Sequence, residues 1–222
     1  ADASWTRSGS NPLLSPIVAW EQTAVYEPTV HYESGAWKMW YSGGWANPGI
    51  GYATSTNGTT WTKYASNPVL GQGGSGVAGI AVRQSVTKSG STYYLYYADA
   101  NPDANLKVAT STNGTSWTVQ GTALAKNVVG WCTGWANSVI WIEGATWHMI
   151  VEGRSGSIWE MAYATSSDGL AWTLGNGGNQ LTTLQVAAGG MYGGPALVRV
   201  GSMYHLWYHA APGSGSLPTN IY

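Results

Sequence analysis

Tyr52-Ala53-Thr54-Ser55-Thr56-Asn57-Gly58-Thr59-Thr60-Trp61-Thr62 decides the fold of this chain, because the same cadence returns from Val108 to Thr118 and from Tyr163 to Thr173. Each copy runs from an apolar strand end through Ser-Thr-Asn-Gly or Ser-Ser-Asp-Gly into Trp-Thr. Asn-Gly and Asp-Gly supply the positive φ angles of a type I′ turn, so each copy is predicted to be a tight β-hairpin whose Trp starts the return strand. The marker tryptophans Trp61, Trp117 and Trp172 lie 56 and 55 residues apart, and Trp5-Thr6 stands another 56 residues upstream. The chain therefore reads as a repeat protein with a unit of about 55 residues.

A second hairpin precedes each copy. His31-Tyr32-Glu33-Ser34-Gly35-Ala36-Trp37 leads into Met39-Trp40-Tyr41, and the arrangement recurs at Ser85 to Gly90, Val139 to Gly144 and Ala196 to Gly201. Four short antiparallel strands per unit are the signature of a propeller blade. Fourteen Trp, 14 Tyr and 31 Gly with no Phe suit aromatic-packed sheets joined by glycine turns, and leave few stretches for a helix. The expected fold is an all-β propeller of four-stranded antiparallel blades, with four repeats in a single domain spanning residues 1–222. Asn220-Ile221-Tyr222 reads as the third strand of the last unit and Ser4-Trp5-Thr6 as a fourth strand, which would close a ring of four. The alternative is an incomplete five-bladed ring.

Nine basic and ten acidic residues leave a net charge of −1, and only 9% of the chain is charged. That balance gives no electrostatic grip on nucleic acid or anionic membranes, and no run of 18 apolar residues suggests membrane insertion. The single Cys132 excludes an intramolecular disulfide and reads as a small buried hydrophobe. Few lysines and many Ser, Thr, Asn and Gly suit an extracellular or secreted protein; the oligomeric state is not legible.

The stretches Glu27-Pro28-Thr29-Val30, Trp37-Lys38-Met39-Trp40-Tyr41-Ser42-Gly43-Gly44, Ile50-Gly51-Tyr52-Ala53-Thr54-Ser55 and Asn67-Pro68-Val69-Leu70 resemble a blade of the glycoside hydrolase family 43/32-like propellers. The cadence returns from Trp159 to Thr173, so the resemblance covers the whole chain. It implies a five-bladed relative, a carbohydrate ligand in a central funnel, and hydrolysis of a glycosidic bond by carboxylates on neighbouring blades. A non-catalytic glycan-binding or structural propeller is the alternative.

Counting back nine residues from Met39, Leu95, Met149 and Leu206 aligns Val30, Val86, Ile140 and Leu197 on the innermost strands, and three positions earlier stand Glu27, Arg83, Asn137 and Gly194. Strand side chains alternate faces, so these four should share one level around the axis. Glu27 matches the family's acidic position and is expected to activate water or attack the sugar. Arg83 and Asn137 stand where relatives often carry acids, and an Arg beside Glu27 would form a charge-assisted pair with it. A second level comprises Ser42, Ala98, Glu152 and His209. Glu152 follows the apolar run Met149-Ile150-Val151, where burial raises a carboxyl pKa as a general acid requires; a salt bridge to Arg154 is the alternative.

The substrate-binding candidates are Trp20, Arg83, Trp135, Asn137 and His209. Trp20 and Trp135 precede innermost strands and lie outside the repeat register, so each is expected to rim the funnel, partly exposed, and stack on a sugar ring. Trp45, Trp131 and Trp159 also fall outside the register. The histidines and Cys132 lack metal-ligand spacing, so no metal or other cofactor is expected. The one oxygen-rich loop, with Asp99 and Asp103, reads as a solvated turn, with a calcium ion there or on the axis as the alternative.

Overall fold

A computed structural model describes residues 8–71, 80–99, 104–156, 158–181, 191–211 and 220–221. Four antiparallel sheets follow one another along the chain. Blade 1 comprises β1 (Val25–Glu33), β2 (Ala36–Gly43), β3 (Gly49–Ser55) and β4 (Thr62–Lys63), with β5 (Leu70–Gly71) added to β3. Blade 2 comprises β6 (Val82–Ser89), β7 (Thr92–Ala98), β8 (Leu106–Ser111) and β9 (Thr118–Leu124). Blade 3 comprises β10 (Gly134–Glu143), β11 (Thr146–Ser155), β12 (Ile158–Ser166) and β13 (Thr173–Leu174). Blade 4 comprises β14 (Met191–Val200), β15 (Met203–Ala211) and β16 (Asn220–Ile221). The expected fourth strand at Ser4-Trp5-Thr6 lies outside the described residues. No helix among the described residues is long and apolar enough to cross a membrane.

Register follows the sequence pattern: Val30 pairs with Met39, Val86 with Leu95, Ile140 with Met149 and Leu197 with Leu206. The first hairpin of each blade turns on glycine. Ser34 and Gly35 both take positive φ, 52° and 79°, as a type I′ turn demands, and Gly90, Gly144 and Gly201 also take positive φ.

The second hairpins differ from the type I′ expectation. In each, only the glycine has positive φ, at 75° in Gly58, 82° in Gly114 and 74° in Gly169. Side chains close these turns. The Ser55 hydroxyl accepts the Asn57 and Gly58 N–H groups, and Asn57 Oδ1 accepts those of Thr59 and Thr60. Ser111 with Asn113, and Ser166 with Asp168, repeat the pattern. Short polar side chains that bond nearby N–H groups offer the backbone an alternative to a two-residue turn.

Each apolar cluster lies between blades or on a blade's face. Trp40, Val86, Tyr93, Leu95 and Trp117 join blades 1 and 2; Tyr96, Val108, Ile140, Trp147 and Met149 join blades 2 and 3; Ile150, Met161, Tyr208 and Ala210 join blades 3 and 4. Cys132 is buried in the second of these clusters, as expected of a small hydrophobe.

Gly114 tests this account. A Cβ there would stand 2.8 Å from the Trp40 ring in a left-handed backbone, whereas one at Gly35, also left-handed, would meet nothing within 4 Å. Gly35→Ala is expected to cost about 1 kcal/mol and Gly114→Ala roughly 2–4 kcal/mol, read from urea midpoints.

Candidate functional site

At the head of every innermost strand the ladder slips by one residue. The pairs Glu27-Pro28, Arg83-Gln84, Ala136-Asn137 and Gly194-Pro195 each face a single residue of the neighbouring strand. Such β-bulges bend a strand and re-aim its side chains. Glu27, Arg83 and Gly194 take positive φ of 51°, 59° and 58°. For the two non-glycine residues that conformation costs on the order of 1–3 kcal/mol, so the surrounding structure must hold it. Blade 3 places its slip one residue earlier, and Asn137 is its second residue.

These strand heads enclose a cavity of about 370 Å³, lined by Glu27, Gln84, Asn137, Gly194, Pro195 and His209 among others. All four blades contribute, so the cavity lies where the innermost strands converge. A smaller apolar cavity of about 270 Å³ lies on the outer face of blade 1, lined by Leu13, Leu14, Val25, Met39 and Tyr41 among others, and carries no acid or base.

Glu27 enters the axial cavity from blade 1. Its carboxylate lies 4.0 Å from Arg83 Nε and 3.4 Å from the Ser42 hydroxyl. Burial raises its pKa above the usual carboxylate value; the charge of Arg83 opposes this, and that of Glu152 adds to the rise. Arg83 is also held from the other side, its guanidinium 4.9 Å from the Trp159 ring of blade 3. The Arg83–Glu27 contact is thus long, and Arg83 divides its attention between an acid and an aromatic face.

Glu152 approaches from blade 3. It is buried, and its Oε2 accepts the Gly194 N–H at 2.7 Å and the Asn137 side-chain amide at 3.2 Å. Gly193 makes this possible: a Cβ there would stand 2.6 Å from Glu152 Oε2. His209 pairs with Gly193 and holds its ring over Gly194. The structure therefore brings Glu27, Glu152, Arg83, Asn137 and His209 together at one end of the axis.

Trp20 and Trp135 stand elsewhere, and their expected place on the funnel rim is corrected. Trp135 is 0% exposed, sits in the core between blades 2 and 3, and donates its indole N–H to Ala125 O at 2.8 Å. Trp20 packs on Tyr41, with ring centroids 5.9 Å apart, and over Gly43, on the outer face of blade 1. The adjacent Glu21 pins this segment: fully buried, it accepts from Tyr41 Oη at 2.8 Å and from Lys63 Nζ at 2.6 Å. Burial opposes Glu21's charge, yet Lys63 and the other donors hold its carboxyl below the usual range.

Gln84 joins the site although the repeat count did not single it out, and Trp45, noted in the sequence only as outside the register, lies at the same end. Gln84 follows Arg83 in the bulge, takes a bond from the Ser42 hydroxyl at 2.6 Å, and donates to the backbone oxygens of Glu27 and Trp40. Trp45, in the loop after β2, is 66% exposed and stacks on Tyr26 with centroids 4.8 Å apart. That loop leaves β2 at the end where Tyr26 and Glu27 begin β1, so Trp45 is an exposed aromatic at this end. Asp99 accepts from the Asn105 backbone and side chain, at 2.8 and 3.0 Å, which closes its loop; Asp103 lies outside the described residues. No group of three or more His, Cys, Asp or Glu that could hold a metal ion occurs among the described residues.

Two measurements check this placement. Trp135→Ala should cost roughly 3–5 kcal/mol, as other buried aromatic truncations do, whereas Trp45→Ala should stay within about 0.5 kcal/mol. Glu27's raised pKa means that the folded state binds its proton more tightly than the unfolded state. Stability should therefore fall as pH rises from 4.5 through the raised value, and Glu27→Gln should remove that slope in urea titrations across pH.

No family model matches the sequence. No curated protein matches it either. Solved structures do. The chain is similar to a glycosyl hydrolase from Bacteroides ovatus, with a TM-score of 0.73 and 20% identity over 97% of this chain and 74% of that one. It is similar, at TM-score 0.68 and 20% identity over 91% and 68%, to a structure from the GH130 family of mannoside phosphorylases, described as containing glycoside hydrolases that target β-1,2 mannosidic linkages in Candida mannan. An α-L-arabinofuranosidase from Lactobacillus brevis matches at TM-score 0.68 and 13% identity over 90% and 72%. At 13–20% identity the likeness to these structures is one of fold alone.

Proposed function

We propose that the axial cavity binds a saccharide and that Glu27 and Glu152 hydrolyse its glycosidic bond. The observation that carries this reading is the approach of two carboxyl groups from different blades at one end of the axis: Glu27 lines the cavity, and Glu152, buried behind Asn137 and Gly194, is near enough for its charge to add to the rise in Glu27's pKa. Glycoside hydrolysis needs such a pair: one acid to protonate the leaving oxygen and one carboxylate on the far side of the reacting carbon. Environment suggests the assignment. Glu27, whose proton is retained to higher pH, suits the general acid. Glu152, whose Oε2 accepts from two donors, suits the carboxylate that activates water or attacks the sugar. These roles are the reverse of those expected from sequence position, because the bulge carries Glu27 into a partly buried place within reach of Glu152's charge.

Asn137 and Gly194 would orient Glu152, His209 would meet a sugar hydroxyl, and Trp45 would offer the stacking face that Trp20 and Trp135 do not. A chain with 9% charged residues suits a neutral ligand of this kind. The natural substrate would be an extracellular glycan.

The test is a screen of the wild type on arabinan, xylan, fructan and mannoside substrates, followed by kinetics on whichever is cleaved. Glu27→Gln and Glu152→Gln should each lower kcat by two or more orders of magnitude, roughly the worth of an acid or base, with little change in KM. Trp45→Ala should raise KM. In the wild type, kcat/KM should fall as pH rises through the raised Glu27 value, since the acid is then lost. Binding without turnover on all four substrate classes would leave a glycan-binding propeller and end the hydrolase reading.

A further inference from the structure

Ser42, near the end of β2 and 0% exposed, stands between Glu27 of blade 1 and Gln84 of blade 2. Its Oγ lies 2.6 Å from Gln84 Oε1 and 3.4 Å from Glu27 Oε2, and it accepts the Arg83 backbone N–H at 3.3 Å. A serine hydroxyl has one proton and two lone pairs. Two oxygens therefore compete for a single proton.

The way Gln84 faces settles the competition. Its amide nitrogen meets two backbone carbonyls, Glu27 O and, at 3.2 Å, Trp40 O. Both carbonyls can only accept, so the NH2 group must face them and Oε1 must face Ser42. Oε1 also can only accept. Gln84 is buried, where an amide oxygen left without a donor is costly, so the Ser42 proton lies on the short contact toward Gln84. The 3.4 Å contact is also too long for a hydroxyl donating to a carboxylate, for which about 2.5–2.7 Å is usual.

One lone pair of Ser42 accepts from Arg83, and the other faces Glu27. Against a carboxylate that lone pair repels; against a carboxylic acid it accepts a hydrogen bond. We propose that Ser42 is a positioning residue for Glu27: the Glu27 carboxyl donates its proton to Ser42 Oγ, Ser42 donates to Gln84 Oε1, and Gln84 donates to the backbone of blade 1. The direction of this series of bonds is set by the two carbonyls at its far end, so the docking of blade 2 on blade 1 keeps the proton on Glu27. The inference rests on Glu27 being the acid of the proposed hydrolysis. Between turnovers the proton rests against Ser42; when a glycosidic oxygen arrives, the O–H turns to it, the proton passes to the leaving oxygen, and solvent returns one to the Glu27 carboxylate. Ser42 gains and loses no proton in the cycle.

The charged and titratable groups around Glu27 are Arg83 on blade 2, Glu152 on blade 3, the adjacent Tyr26, and His209, which lines the same cavity from blade 4. Ser42 and Gln84 carry no charge, so replacing either alters the hydrogen bonds of Glu27 and leaves these charges in place.

The sign of one shift tests the proposal. A Ser42 hydroxyl that donated to Glu27 would favour the carboxylate, and its loss would raise the Glu27 midpoint. A Ser42 oxygen that accepts from Glu27 favours the acid, so Ser42→Ala should lower the midpoint of the Glu27 carboxyl 13C resonance by about one pH unit, the shift that one hydrogen bond produces. Gln84→Met, which frees the Ser42 proton to turn to Glu27, should lower it further. Near-UV circular dichroism checks that each variant is folded, and either variant alone decides the sign. A midpoint that rises or stays where it is would overturn the proposal. On a substrate that the wild type cleaves, the alkaline limb of kcat/KM should move down with the midpoint in Ser42→Ala, while the rate on the acid side is retained. A lowered midpoint with an unmoved limb would uphold the Ser42 bond and remove Glu27 as the acid, which is the failure of the hydrolysis reading.

Discussion

The glycine carbonyl in the middle of each side-chain-closed hairpin accepts an aromatic donor, and in blade 3 one such carbonyl does two jobs on which the architecture depends. Gly169 O accepts the indole N–H of Trp172 in its own hairpin, at 3.3 Å, and the hydroxyl of Tyr96 from the preceding blade, at 2.6 Å. A carbonyl has two lone pairs, so both bonds can form at once. The first holds the turn that brings the fourth strand back; the second fixes how far and at what angle the next blade lies. Glycine is required because the turn needs positive φ and because a Cβ at Gly169 would press on Trp147 at 2.8 Å. Buried aromatics supply the interface energy around this bond, while the bond supplies the registry that apolar contact lacks.

Blade orientation in turn decides what meets on the axis. With the four innermost strands converging at one end, the bulge at each strand head turns its side chains inward rather than along the ladder. Glu27 and Arg83 hold left-handed backbone there at a cost that a regular strand would avoid. Gln84 ties the bulge of blade 2 to the backbone of blade 1, and Gly194 ties that of blade 4 to Glu152. Strain at the strand heads is thus balanced by bonds between blades, and two carboxyl groups are kept close although their charges repel. Arg83 moderates the repulsion without cancelling it, because its guanidinium also rests on Trp159.

The period, the blade construction and the pairing of Val30 with Met39 and its three counterparts were legible because strand register has a period of two and each repeat carries the same apolar marks. The same counting found Glu27, Arg83, Asn137, Glu152 and His209. It could not show that the pKa of Glu27 would be raised, since that depends on the bulge, and only the prolines Pro28 and Pro195 hint that the ladder is interrupted there. Trp135 misled because a residue just before an innermost strand can turn toward the rim or toward the next blade, and a large aromatic gains most by burial. Trp20 misled for a different reason: Glu21, its neighbour, is anchored under Lys63 and Tyr41 and draws the whole turn onto the outer face. The type I′ expectation weighed Asn-Gly and Asp-Gly but not the serine two residues earlier, whose hydroxyl captures the backbone N–H groups first.

The coupling of the two axial carboxyl groups is open to direct observation by titrating the side-chain carboxyl 13C resonance of Glu27 in the wild type and in Glu152→Gln. The wild-type value should lie above the ordinary glutamate range, and removing the negative charge of Glu152 should bring it down while burial keeps part of the rise. A Glu27 that titrates at the ordinary value in the wild type, or that is unmoved by Glu152→Gln, would contradict the account of a coupled pair on the propeller axis.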